Sequence, residues 1–248
     1  MSQAETMLET FRGVQTMSAK WGIGRWDTSH MTTLEAMFML SQWQDPPLDL
    51  SQWDTSQVRS LNQLFRRSNV VSPNISNWNT RRVQDLEQFA ANAESFNEDL
   101  SQWQIGRVTT LHQAFLGAIA YNQDLSQWDT RNVWDMNRVF EGAVSFQPTK
   151  LPWNVTKVRS MVAMFRGATL FNAPIGDWNV AKVNDLRWAF EGATSFNQNL
   201  CAWGKLLDPS NKTQVEGMFV GTACPNTSDP ILPHGPFCHN CENDYNRY

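Results

Sequence analysis

Cysteine and histidine are the first residues to weigh for chemistry, and the cysteines are placed unevenly. All four cysteines lie beyond residue 200 of the 248-residue chain: Cys201, Cys224, Cys238 and Cys241. An even number of cysteines gathered at one end is typical of a disulfide-bonded cap, which implies an oxidising compartment. Four cysteines allow three pairings. Of these we favour Cys201–Cys224 with Cys238–Cys241.

A metal site is the alternative for the same residues. Cys238–Cys241 is a CxxC sequence containing His239, with Cys224 and His234 nearby. A lone CxxC is weak evidence for zinc without a second CxxC or a paired histidine motif. We therefore predict disulfides, no metal and no cofactor.

Motifs for catalysis are absent from the sequence. No P-loop, G-x-S-x-G or HExxH motif occurs. No histidine has a nucleophile or ligand partner at a recognisable spacing; the four are His30, His112, His234 and His239. We predict that the protein is not an enzyme. A polysaccharide-active enzyme stays a remote alternative, because stacked repeats can bring two carboxylates together.

Composition narrows the partners. The net charge of −4 argues against a nucleic-acid binder, whose surface is normally basic. No apolar run approaches the roughly 18–20 residues that span a bilayer, so no membrane insertion is expected.

The spacing of the tryptophans shows that the chain is built from repeats, which must position the other residues. Eight of the 12 tryptophans recur at steps of 27 and then 25 residues: Trp26, Trp53, Trp78, Trp103, Trp128, Trp153, Trp178 and Trp203. Apolar residues five, eight and twelve positions later keep the same phase, as in Val108, Leu111 and Phe115. A periodicity of this length is the signature of a tandem-repeat protein.

The apolar spacing within each repeat predicts its elements. Steps of three and four after Val108 indicate one face of a short helix, which Gly117 would end in a left-handed conformation. The segment before each tryptophan reads as a short strand. The expected fold is therefore an α/β, leucine-rich-repeat-like solenoid of about eight coils with one parallel sheet. Residues 1–221 form it, with an incomplete half-coil at 1–25, and residues 222–248 form a C-terminal cap.

The repeat resembles the BspA-like surface-protein repeat, a tandem family related to leucine-rich repeats. The stretches that carry the resemblance include Ser195–Leu200 and Asn122–Thr130, and it extends from Met7 to Gly221. The resemblance implies a right-handed solenoid at a cell surface. Sequons at Asn74, Asn154, Asn211 and Asn226 favour export, so an extracellular or cell-surface location is predicted.

Equivalent positions of stacked repeats form rows, and two rows are candidate binding surfaces. The polar ribbon comprises Ser51, Ser76, Ser101, Ser126, Gln52, Gln102, Gln127, Asp99 and Asp124. The basic stripe, which could hold an anionic polymer, comprises Arg81, Arg82, Arg107, Arg131, Lys157 and Lys182. Ordinary solvated surface is the alternative for both.

Three further rows have structural interpretations as well as functional ones. The phased tryptophans are expected to pack in the core, which leaves the off-phase Trp43, Trp134 and Trp188 as candidate ligand contacts. An asparagine row (Asn97, Asn122, Asn172, Asn197) is expected to satisfy internal backbone groups. Six of the phased tryptophans are followed by Asp or Asn, a row expected to form turns rather than bind calcium: Asp27, Asp54, Asn79, Asp129, Asn154 and Asn179.

These patterns favour a non-catalytic binding or adhesion module with protein or glycan partners. A structural cell-wall or matrix component that self-associates through its half-coil end is the second hypothesis. The oligomeric state stays open, with a monomer favoured.

Overall fold

The computed structural model describes residues 6–43, 48–207, 210, 212–233 and 235–241. These ranges contain two 3-10 helices, Ala19–Trp21 and Ile23–Arg25, and one α-helix, α1, Cys201–Leu206. None of the described residues belongs to a β-strand, and among them β-bridges occur only as isolated single-residue pairs. The predicted α/β solenoid, with a strand and a helix in each coil and a parallel sheet, is therefore wrong.

Consecutive tight turns occupy the segment that was expected to be helical. Within one unit the Ala114 N–H donates to the Leu111 carbonyl at 3.0 Å, and the Leu116 N–H donates to the Gln113 carbonyl at 3.2 Å. The intervening N–H groups leave the unit. The Phe115 N–H donates to the Val139 carbonyl of the following unit at 2.9 Å. An α-helix needs every N–H to bond four residues back, so this alternation excludes one.

Backbone conformation shows why the helix fails. Gly117 is left-handed, as predicted, with φ 62°, but Gln113 four residues earlier is left-handed too, with φ 56°. The same position is left-handed in every described unit from Ala36 to Trp188. A right-handed helix cannot continue through a left-handed residue. Left-handed residues four positions apart leave the buried side chains at spacings of three and four, as in a helix, which explains the wrong prediction.

One residue per unit forms a parallel bridge to the next unit. The bridges run through Thr6, Thr33, Ser60, Asp85, Thr110, Asp135, Ser160, Asp185 and Gln214. Each bridge involves a single residue of each unit, so the bridges do not extend into strands or a sheet. The units therefore stack in register along the chain without forming strands.

Stacked aromatic rings fill the centre of this column of units. From Trp53 to Trp203 the phased tryptophans are buried, and the Trp53 and Trp78 rings lie 6.1 Å apart at 6°. Each indole N–H also donates to a carbonyl of the preceding unit, as from Trp128 to Leu100 at 2.9 Å. The predicted packing role of these tryptophans is confirmed, while Trp26 at the first step is only partly buried.

Two disulfides close the C-terminal end. They join Cys201 to Cys241 and Cys224 to Cys238, with Cα–Cα distances of 5.3 and 4.8 Å. The predicted pairing of Cys201–Cys224 with Cys238–Cys241 is therefore wrong, and the alternative of a CxxC metal site fails because both sulfurs are bonded to other cysteines.

The path of the tail explains the pairing. The Leu200 N–H donates to the Phe237 carbonyl at 3.3 Å, and the Asn226 N–H donates to the Cys238 carbonyl at 3.0 Å. The tail thus crosses both the last repeat and the segment after it. Its two cysteines face different segments, so they do not pair with each other.

Candidate binding face

The residues just before and just after each buried tryptophan except the last point outward, and in stacked units they form one face of the column. Side chains alternate there: Gln127 is exposed, Trp128 buried, Asp129 half-buried and Thr130 buried. Past the turn at Arg131 the alternation resumes, ending at the exposed Trp134. Both the polar ribbon and the basic stripe lie on this face, which we call the binding face.

Turns formed by side chains fix its backbone. The Ser101 N–H donates to Asp99 Oδ1 at 2.9 Å, and the Ser126 N–H donates to Asp124 Oδ1 at 2.8 Å. The Asp or Asn after a phased tryptophan does the same, as where the Arg131 N–H donates to Asp129 Oδ1 at 3.3 Å. This confirms the predicted turn role of that row. Asp and Asn favour such turns because a short side-chain oxygen reaches the N–H two residues on.

The polar ribbon divides into outer and inner members. Gln52, Gln102, Gln127, Asp99 and Asp124 are exposed. The serines lie deeper: Ser51, Ser76 and Ser101 are half-buried, and only 6% of Ser126 is exposed. A neighbouring amide covers three of them, since the Gln52, Gln102 and Gln127 side chains each donate to the adjacent serine hydroxyl at 3.3 Å. A ligand on the ribbon would therefore meet amides and carboxylates before hydroxyls.

Much of the basic stripe is paired with neighbours. Arg82 donates to the Gln57 amide oxygen of the preceding unit, and Arg81 Nε donates to Gln104 Oε1 at 2.7 Å. Lys157 Nζ donates to Asn132 Oδ1 at 2.7 Å. These acceptors are neutral, so the charges remain available to an anion.

Arg131 differs from the other members of the stripe. Its Nε lies 2.8 Å from Asp129 Oδ1, and the hydrogen bond lowers the pKa of Asp129 and raises the pKa of Arg131. Their charges largely cancel. Arg107 and Lys182 are exposed. The positive charge of the basic stripe is therefore uneven, because Arg131 is neutralised and these two residues are not.

The three off-phase tryptophans named as candidates differ in exposure. Trp134 is 51% exposed on the binding face. Trp43 is half-buried, its ring 5.7 Å from that of Phe38. Trp188 is half-buried between the guanidinium of Arg187, 5.4 Å from its ring, and the backbone of Gly217. Trp134 is the member of the set best placed to contact a ligand.

The asparagine row satisfies backbone groups, as predicted. The Asn122 N–H donates to Asn97 Oδ1 at 2.9 Å, and the Asn197 N–H donates to Asn172 Oδ1 at 2.9 Å. The row lies at the surface rather than inside, since Asn122, Asn172 and Asn197 are exposed.

A row of ionisable residues on another face escaped the sequence reasoning. His112 Nδ1 lies 3.6 Å from Asp135 Oδ2 of the next unit, and pairing with that side chain raises the pKa of His112 against the opposing effect of burial. Arg166 Nε lies 2.7 Å from Glu191 Oε2 of the next unit, and Arg166 Nη1 lies 3.7 Å from Glu141 Oε1 of the preceding unit. The signal available in the sequence was the spacing of opposite charges, 23 residues for His112 and Asp135 and 25 residues for Arg166 and each of its glutamates.

The described part of the chain contains neither a metal-binding cluster nor a membrane-spanning helix. No group of three or more His, Cys, Asp or Glu residues is placed there to hold a metal ion. Within the same residues, no helix is long and apolar enough to cross a bilayer.

Stacked units of about 25 residues with a disulfide-bonded end define a tandem-repeat protein. The model of one family, described as "Mycoplasma protein of unknown function, DUF285", matches residues 5–127, 36–151 and 109–228. The overlapping matches together extend over most of the chain, and the chain belongs to this family. A search of curated proteins found no match, and neither did a search of solved structures.

Proposed function

We propose that this protein is a non-catalytic extracellular binding module that presents its binding face to glycan or protein partners. The observation that carries the proposal is the composition of that face, where amides, carboxylates and cations are exposed together with Trp134. Hydrogen bonds between units hold the backbone that carries them. Preorganised polar groups beside an exposed aromatic ring suit a partner rich in hydroxyl groups, because ordering costs little at binding.

The two disulfides support an extracellular location, since such bonds persist in oxidising compartments. The resemblance to BspA-like surface-protein repeats points the same way and stays a prediction, as does adhesion itself.

A glycan array and a panel of purified extracellular matrix proteins test the proposal. Wild-type protein should bind at least one class. Combined replacement of Gln102, Gln127 and Trp134 by alanine should abolish that binding without lowering the melting temperature. Ile119→Ala removes an apolar side chain that is 42% exposed in a turn away from the binding face, and it should leave binding unchanged. Equal loss in both variants, or no binding to any class, would count against the proposal.

Self-association as a structural component is the second candidate, and one observation favours it. The first described unit leaves Leu8 54% and Trp21 48% exposed, whereas two disulfides hold the tail against the last unit, where Met218 and Phe219 are buried. Pairing of two such ends would give a dimer rather than a filament. Light scattering across a concentration series checks this: Leu8→Glu with Trp21→Glu should abolish a dimer, and a strict monomer in the wild type would exclude one.

A further inference from the structure

A cavity interrupts the binding face beside Gly106. Its volume is about 290 Å³, at the small end of the roughly 300–1,000 Å³ typical of ligand sites. Trp103 and Ile105 form its floor, and both are buried. The side chains around its rim come from three successive units: Arg81, Gln104, Arg107, Gln127 and Asp129. We call this cavity the Gly106 notch.

The notch exists because one side chain is missing from a row. Units before and after place Arg81 and Arg131 at the position of Gly106, and later units place Thr156 and Ala181 there. Gly106 leaves the space between the two arginines empty. A Cβ built on Gly106 would lie 3.0 Å from Asp129 Oδ2 and 3.7 Å from Asp129 Cγ, both in a flexible side chain. A small residue would therefore fit, and the glycine is not required by crowding of the backbone.

The charge balance of the notch is positive. Arg131 and Asp129 form an ion pair with a 2.8 Å contact, so they add little net charge. Arg81 is bonded to the neutral Gln104 side chain at 2.7 Å, and Arg107 is exposed. Two guanidinium charges thus face an opening that holds no compensating carboxylate beyond the paired one. Guanidinium groups suit carboxylate and sulfate because their N–H groups match those oxygens two at a time.

Groups beside the notch suit a sugar. Gln127 lies at its rim and Gln102 continues the polar ribbon on the preceding unit. The Trp134 N–H donates to the Thr109 carbonyl at 3.0 Å, which places Trp134 beside the residue two positions after Arg107. An exposed aromatic ring beside cations and amides offers a stacking surface for the ring of a charged sugar.

We propose that the Gly106 notch binds the carboxylate or sulfate of an acidic glycan, with the adjoining sugar on Trp134. This rests on the proposed binding function and narrows its partner to one chemical class. The notch replaces the continuous basic stripe expected from the sequence as the point of anion recognition.

Calorimetry with short sulfated and uronate oligosaccharides tests the proposal, with a neutral dextran oligosaccharide and polyglutamate as comparisons. The wild type should bind at least one acidic glycan, more weakly as salt rises from about 0.05 to about 0.5 M because screening shortens the reach of the charges. The neutral sugar should bind far more weakly.

Variants with matched controls locate the site. Arg107→Gln should weaken binding about 10-fold or more, the usual size of a charge-assisted contact. Lys182 occupies the same position three units further on and does not line the notch. Lys182→Gln should therefore change the affinity less than about 2-fold. Gly106→Thr fills the notch and should also weaken binding about 10-fold, whereas Ala181→Thr adds a threonine at the equivalent position and should not. Melting temperatures of all four should match the wild type.

Each contrary outcome is distinct. Acidic glycan binding that Arg107→Gln and Lys182→Gln weaken equally would overturn the notch while leaving the binding function standing. Preference for polyglutamate would overturn it in favour of an acidic peptide. If no acidic glycan binds, the notch proposal falls, and the array with its alanine variants still decides the broader function separately.

Discussion

At the scale of the residue, Tyr121 is the exception in a row of phenylalanines. Phe96, Phe146, Phe171 and Phe196 hold the equivalent positions. The Tyr121 hydroxyl is fully buried and has no hydrogen-bond partner in the described part of the chain, and burial holds the pKa of the phenol well above its usual value. A buried polar group without a partner costs about 1–3 kcal/mol.

Tyr121→Phe should therefore stabilise the protein by about 1 kcal/mol, since it removes that cost and keeps the ring stack. The free energy of unfolding in urea measures the change. Phe146→Tyr is the reverse substitution one unit along and should destabilise. A loss of stability in Tyr121→Phe would mean that the hydroxyl is satisfied by a buried water.

His112 adds a pH-dependent term to stability. Because its pKa is raised in the fold, the attraction to Asp135 is fully present below the unfolded pKa of about 6.5 and is lost as pH rises through the folded pKa. Asp135→Asn keeps an oxygen for the Asn137 N–H, which donates to Asp135 Oδ1 at 2.9 Å. It should cost up to about 1 kcal/mol near pH 5.5 and little near pH 8. Unfolding of both proteins across that range checks the sign; an equal cost at both values would contradict it.

At the scale of the element, the buried phased tryptophans from Trp53 to Trp203, which we call the indole ladder, join successive units. Trp128 Nε1 donates to the Leu100 carbonyl, and the Trp128 ring lies 6.1 Å from that of Trp153. Trp128→Phe loses this bond and part of the ring, and it should destabilise by about 2–4 kcal/mol. Trp134→Phe makes the same change at an exposed ring and should stay within about 0.5 kcal/mol. Chemical denaturation compares them; similar effects would show that the ladder adds nothing.

Sequence patterns predicted the repeat and its packing but not the secondary structure of a unit. Fixed spacing placed Trp53–Trp203 in the core and Gly117 in a left-handed turn, and both hold. The error arose because Gln113 and its equivalents are left-handed without being glycine. Residue type gives no warning of that conformation when the hydrogen bonds that impose it come from another unit.

The candidate site was predictable only in part, for a related reason. Their equivalent positions in successive repeats placed Gln102 and Gln127 in a predicted surface row, and both are exposed. Two further contacts decided the rest: Asp129 neutralises Arg131 within one unit, and Gly106 opens a cavity next to Arg107 whose rim comes from three units. The spacing of residue types does not show which of these side chains meet in the folded chain.

At the scale of the whole molecule, the two ends of the column differ in how they are held. Each inner unit has a neighbour on both sides, and stability in repeat proteins is close to a sum of unit and interface terms. The last unit has a neighbour on one side, and the tail takes the place of the other. There the Gly217 N–H donates to Asp229 Oδ1 at 2.7 Å, and both disulfides anchor the tail.

Removing the disulfides should therefore loosen the C-terminal end first. Loop-closure entropy gives about 4 kcal/mol for Cys201–Cys241, whose cysteines are 40 residues apart, and about 3 kcal/mol for Cys224–Cys238, 14 apart. Replacing either pair by serine should speed amide hydrogen exchange at Gly192, whose N–H donates to the Val220 carbonyl, and leave exchange at Phe115 unchanged. The longer loop should give the larger effect. Equal acceleration at Gly192 and Phe115 would instead show that the column unfolds as one cooperative unit whose stability the tail sets.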